Sequence, residues 1–457
     1  MKTKLKIIHL SLLFGLTCTL TFGQVQMPTA PQPTQFQQYG NNGLQNPKNV
    51  VSVPNPMDIF NGTSDQQRIQ RQNQMLIQEV EQNEKLRTEQ LNQVNKDIAE
   101  YDSNRINYSL PSYGNIESTK YYRNAFDKLN GLNPARFSVK DATFAIENAY
   151  FEEKQNYEDF DKLIKQTGDF LREKMDELGY DQNSNLAKNF MLFKFFSDTL
   201  EIKSKDLKHL PFKYDFEDYL GIEDWSKMFV SKLLATGKGQ CNSLPRLYLI
   251  LAEEIGAEAF LSLSPNHSYI KFRDENEYWY NVELTNGMFT AESSILQSGF
   301  IKSEALQNEI YMQEMSSKQL LSQLLTDFAQ GYARKFGYDP FVKNVVDRAL
   351  QLYPNSITAN MLNSNYLTIQ FEYIANQVGI NPRDRNDLQN IRNFPKIVQM
   401  LNQVNLQYTT IDNLGYEYMS PTDYESWLAS LKDAKTEKQN QEIKEQFSIK
   451  LNQSIKN

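Results

Sequence analysis

Cysteine and histidine are nearly missing from this chain, with 2 Cys and 3 His in 457 residues. That scarcity rules out a disulfide framework, and it leaves no cluster at metal-ligand spacing. Neither a metal nor a cofactor is therefore expected. An excess of base is missing too: 48 Lys and Arg stand against 56 Asp and Glu, for a net charge of -8. Nucleic-acid binding normally needs a basic face, so nucleic acid is not an expected partner. Beyond Phe22 no stretch approaches the roughly 20 apolar residues of a membrane helix, so no integral membrane segment is expected in the mature chain. There is no glycine-rich phosphate loop.

What the chain does hold falls into segments. Residues 1–23 have a basic start (Lys2, Lys4, Lys6), a mostly apolar run from Ile7 to Phe22, and small residues in Thr21-Phe22-Gly23 suited to a cleavage site. They read as a signal peptide, which makes the protein exported: periplasmic, cell-surface or secreted. Its removal takes away His9 and Cys18, and leaves Cys241, His209 and His267. A lone cysteine in an oxidising compartment is either an inert buried thiol or a reactive one. Residues 24–62, rich in Gln, Pro, Asn and Gly, read as a disordered linker. Residues 63–101 carry a thin stripe (Met75, Leu76, Val80, Leu86, Leu91, Val94, Ile98) on a polar helix or coiled coil.

Aromatic-rich amphipathic helices are expected over Ser138–Gln155, Tyr157–Leu178 and Asn185–Leu200, and a helix over Asp224–Leu234. His209 precedes Leu210-Pro211 and reads as a loop or surface histidine. Gly237 and Gly239 permit a tight turn before Cys241, and an apolar helix runs from Arg246 to Ile255. A cysteine at the start of a helix faces the positive end of its dipole, which favours thiolate. Strands are expected over Ala257–Ser264, from His267 to Phe272 and over Glu277–Leu284. An antiparallel pair would bring His267 near Glu283, and a carboxylate there can orient the imidazole and favour its protonated form. Asn281 shares the face of Glu283 by strand alternation and is an alternative orienting residue. Gln240 is a possible oxyanion donor beside the Cys241 N–H.

Gly239-Gln240-Cys241 opening an apolar helix that ends in Gly256-Ala257, Asn266-His267 opening a strand, and Val282-Glu283-Leu284-Thr285 after Tyr278-Trp279-Tyr280 resemble the transglutaminase-like superfamily, the papain-related fold with a Cys–His–Asp triad. The resemblance implies an α+β fold in which the nucleophile helix packs on a small antiparallel sheet, inside a mostly helical protein. It implies Cys241 as nucleophile, His267 as base and Glu283, where the family usually has Asp, as orienting acid. The similarity is to the bacterial branch joined to tetratricopeptide-like helices, and Ala349-Leu350-Gln351-Leu352-Tyr353-Pro354 resembles the end of such a repeat. The domain reading is thus 119–300 for the transglutaminase-like domain, 301–433 for a helical tetratricopeptide-like region and 434–457 for a polar tail. The expected partner is a protein or peptide. The expected function is cysteine acyl transfer or peptide hydrolysis; the alternative is a non-catalytic binding or scaffold module using the same cleft and helices.

Overall fold

The computed structural model describes residues 64–103, 106–433 and 445, so the segments read as signal peptide and linker, and all of the tail but one residue, lie outside it. The fold is α+β and mostly helical. Among the described residues it forms two compact units, 111–366 with 407–433, and 64–110 with 367–406.

Helix α1, Ser64–Ser103, belongs to the second unit. The first unit opens with α2 (Thr119–Asn130), α3 (Val139–Tyr150), α4 (Tyr157–Leu178) and α5 (Asn185–Ser197). Side-chain caps start α3, α4 and α5, from Ser138, Asn156 and Ser184, each accepting a backbone N–H of the first turn. Short strands β1 (Leu200–Ile202) and β2 (Leu207–His209) pair antiparallel; β3 (Lys213–Tyr214) pairs parallel with β4 (Lys238–Gly239). The expected helix over Asp224–Leu234 is two pieces, a 3-10 turn over Trp225–Met228 and α6 over Val230–Thr236. The carboxylate of buried Glu147 accepts the N–H groups of Val230 and Ser231, so it caps α6 from outside.

The central element is α7, Ser243–Ile255, whose residues from Ser243 to Ala252 are all buried. Burying each of Leu244, Leu247 and Leu251 contributes about 1.5–3 kcal/mol. Its one arginine, Arg246, is neutralised by Asp327, whose other oxygen holds Gln323. A four-stranded antiparallel sheet follows: β5 (Phe260–Ser264), β6 (His267–Arg273), β7 (Trp279–Glu283) and β8 (Met288–Thr290), in sequence order. Ile270, Phe272 and Val282 join the core shared with α5 and α7. Tyr269 packs on a second cluster with Ile295, Ala305 and Ile310, from α8 (Glu292–Leu296), α9 (Ser303–Gln307) and the segment after them. The open edge of β5 is covered by that segment, where Met312 and Met315 donate N–H groups to Leu263 and Leu261.

Helices α10 (Ser317–Phe336) and α11 (Pro340–Leu352) pack together, with Ala349 fully buried and its carbonyl accepting from Ser322 Oγ at 2.8 Å. Then come α12 (Ile357–Gln377), α13 (Arg385–Leu388), α14 (Pro395–Asn413) and α15 (Pro421–Asp433). In the second unit, Gln370 donates to the Tyr108 carbonyl at 2.7 Å, and Lys396 lies 4.6 Å from the Tyr108 ring centre. Among the described residues no helix is long and apolar enough to cross a membrane.

His209 is not in a surface loop. It ends β2, stacks on Phe195 with ring centres 3.7 Å apart, and places Nε2 2.7 Å from the Phe195 carbonyl. Burial takes its pKa down to about 4, outweighing the carbonyl that favours its protonated form, so it is a packed neutral ring.

Candidate functional site

Cys241 sits just ahead of α7, in a turn set by its neighbours. Gly237 adopts φ +68° and closes α6. At Gly239 a Cβ would lie 2.9 Å from both Leu233 Cδ1 and Ser243 Oγ, so only glycine lets the strand pass this close. The Gln240 N–H donates to Ser243 Oγ at 2.9 Å. The Gln240 side-chain amide donates to the carbonyls of Glu217 and Asp218, at 3.1 and 3.0 Å. Gln240 therefore anchors the preceding loop, and its donor is spent on that loop. The Cys241 carbonyl accepts the hydroxyl of Ser268 on β6. These contacts tie the cysteine backbone to the sheet that carries the histidine.

His267 begins β6 after the two-residue turn Pro265-Asn266, where Ser264 pairs with His267. Asn266 takes φ +55°, a conformation asparagine tolerates better than most residues. Register then decides the acid. β6 and β7 pair from Ile270↔Val282 through Lys271↔Asn281 to Arg273↔Trp279. One step further along, Glu283 falls opposite Tyr269 and diagonal to His267. His267 Nε2 lies 2.9 Å from Glu283 Oε2. Asn281, opposite Lys271, instead donates to the Thr290 carbonyl at 3.2 Å. The structure thus joins Glu283 to the histidine and leaves Asn281 inside the sheet.

The other ring nitrogen, Nδ1, faces a residue of α15: it is 3.3 Å from the Tyr424 hydroxyl, which in turn approaches Cys241 Sγ at 3.8 Å. Trp427 stands edge-on to the imidazole, ring centres 4.7 Å apart. The sulfur, hydroxyl and imidazole form a triangle, with the carboxylate behind the imidazole. Sequence reasoning missed Tyr424. Tyr424 lies on the same face of α15 as Trp427 by helical spacing, but nothing in the sequence says what that face meets.

His267 and Glu283 are buried, 4% and 5% exposed, while Cys241 is partly accessible. Burial alone would lower the His267 pKa; the Glu283 carboxylate and the Cys241 sulfur reverse it and raise it to about 10. Burial likewise opposes ionisation of Glu283, and the imidazolium with the Thr285 N–H overcomes that, holding its carboxyl below the usual range. The pair is therefore an imidazolium–carboxylate ion pair at neutral pH. Neutral His267 would keep its proton on Nε2 toward Glu283 and leave Nδ1 as the basic nitrogen on the thiol side. Among the described residues no group of three His, Cys, Asp or Glu could hold a metal ion. In comparisons with family models, curated proteins and solved structures, nothing matches this chain.

Proposed function

We propose that this protein is an exported, transglutaminase-like cysteine enzyme that performs acyl transfer or peptide hydrolysis on a protein or peptide carbonyl. One observation carries the reading: a buried histidine bonded through Nε2 to a carboxylate turns its Nδ1 toward the side where the single described cysteine lies. Cys241 Sγ, as the thiolate beside the His267 imidazolium, attacks the carbonyl carbon. The imidazolium then protonates the departing amine, which leaves an S-acyl cysteine and a neutral His267. Water or a second amine attacks that thioester, His267 taking the attacking proton and keeping it as the thiolate departs, which restores the starting pair. Glu283 holds the ring in register and stabilises its charge; Cys241 N–H is the default donor to the oxyanion. The tetratricopeptide-like reading of 301–433 gains support from buried Ala349 in the α10–α11 crossing.

A second reading, a non-catalytic binding module, is favoured by the cover that Tyr424 and Trp427 place over the imidazole. Incubation with a glutamine-containing peptide and a fluorescent primary amine separates the two. The enzyme reading expects the peptide glutamine to be labelled, deamidated or the peptide cleaved, and expects Cys241→Ala to abolish all three. It also expects Cys241 to react with iodoacetamide at pH 6 faster than the cysteine of an unstructured peptide. Equal rates, unchanged in His267→Ala, would leave only the binding module.

A further inference from the structure

We infer that Tyr424 is a catalytic residue of this site, its hydroxyl donating to the Cys241 sulfur and holding the thiolate beside the His267 imidazolium. The inference rests on the thiol chemistry proposed above and adds a group that comes from far along the chain.

The hydroxyl has a single proton and three polar neighbours, Cys241 Sγ at 3.8 Å, His267 Nδ1 at 3.3 Å and the hydroxyl of Tyr214. Sulfur hydrogen bonds are long, because the acceptor is large and diffuse. In the resting site the imidazolium N–H on Nδ1 donates to the tyrosine oxygen, and the tyrosine O–H donates to the sulfur. The arrangement is thiolate, imidazolium and neutral phenol, and no proton has to move before the sulfur attacks. Tyrosine suits this task only while it stays neutral. Burial first, then the negative charge of Cys241, push its ionisation well above the ordinary value of 10.

The fold fixes the hydroxyl as firmly as it fixes the imidazole. Tyr424 is 1% exposed and shares the main core with Met419 and Leu428. Its ring stacks with Trp427 at 5.7 Å and lies against Tyr219 at 5.4 Å. Asn266, the residue before His267, donates to the Met419 carbonyl at 3.2 Å. Asn286, just past Glu283, donates to the Leu431 carbonyl at 3.2 Å. Each end of α15 is therefore tied to a turn that flanks a member of the site. The titratable groups facing Tyr424 are Cys241, His267, Tyr214 and Tyr219, with Glu283 acting through His267. Glu425, on the same helix, is bonded to Tyr219 and turned from the sulfur. Burial this complete makes α15 a fixed wall of the site, and Cys241 stays partly accessible with the helix in place.

Tyr424→Phe removes the oxygen and keeps the ring. The full mature chain is treated with iodoacetamide and modification of Cys241 is followed by mass spectrometry. A hydrogen bond to a charged group accounts for about a tenfold fall in rate at pH 6. At pH 10, well above the ordinary thiol pKa of about 8.5, the variant matches wild type within about twofold, and its Tm stays close to that of wild type. Tyr219→Phe, which releases Glu425 but keeps the ring that lies against Tyr424, keeps the wild-type rate at both pH values. Equal rates for Tyr424→Phe and wild type at pH 6 would make the hydroxyl a packing group and overturn the inference. A fall of the same size at pH 6 and pH 10 would overturn it as well, since that pattern means altered access. If wild type itself reacts at pH 6 no faster than an unstructured peptide, the proposed function fails and takes this inference with it.

Discussion

A histidine taken out of water beside a carboxylate exchanges hydration for an ion pair, and the exchange has a sign that depends on pH. His267 has a folded-state pKa of about 10 against an ordinary 6.5. Its contribution to stability is therefore fully present below about 6.5 and is lost as pH rises through 10. Glu283 is shifted the other way, so its contribution is present above 4.5 and is lost as pH falls through its lowered folded value. The two windows overlap between 4.5 and 6.5, where the pair stabilises most. Glu283→Gln leaves the imidazole buried without its counter-charge, which costs about 3–5 kcal/mol in that window. The gap between wild-type and Glu283→Gln stability, followed by thermal unfolding from pH 5 to pH 10, should be widest near pH 6 and narrow steadily toward pH 10. A gap that stays constant over that range would mean the pair is held by neutral hydrogen bonding.

At the scale of the element, the site depends on how closely β4 passes α7. Gly239→Ala would press a methyl against Leu233, Ser243 and the Leu244 Cγ at 3.0 Å. These are side-chain atoms and can give, so the expected loss is about 1–3 kcal/mol, with the fold retained. The same push displaces the turn that carries Cys241, and the alkylation rate at pH 6 should fall by more than the stability change explains. A variant with lowered Tm and an unchanged alkylation rate would show that the turn does not position the sulfur. The glycines, the buried stripe of α7 and the strands bearing His267 and Glu283 were legible in the sequence because period and turn chemistry are local. The choice between Glu283 and Asn281 was not, since alternation puts both on one face and only the Ile270↔Val282 register separates them. The role of Gln240 was hidden because its partners, the carbonyls of Glu217 and Asp218, come from an irregular loop. Short strands such as β1, β2 and β8 were missed for a related reason: three residues give too little period to read. His209 looked like a loop residue because Pro211 follows it, whereas the ring stack with Phe195 that fixes it is a tertiary contact.

For the whole molecule, burial is distributed unevenly, and stability should follow it. Phe190, Phe193, Leu247, Tyr248, Ile270 and Phe272 are within 1% of complete burial and gather α5, α7 and β6 into one core. By contrast Met75, Leu76, Ile77, Val80, Leu86, Leu91 and Val94 on α1 are 52–61% exposed. A helix whose apolar side chains remain in water gains little from packing and is held mainly by its own hydrogen bonds, which are marginal in isolation. Amides of α7 should open only with the global transition, and those of α1 by local fraying. That separates them by several kcal/mol, or about 10³-fold or more in hydrogen-exchange protection. Exchange of the purified chain, read by mass spectrometry on peptides spanning 74–94 and 243–255, measures the ratio directly. Protection of α1 as strong as that of α7 would mean its apolar stripe is covered in solution, and dilution of the sample would then show whether the cover is a second copy of the chain: protection supplied by another copy falls with concentration, and protection supplied within the chain does not.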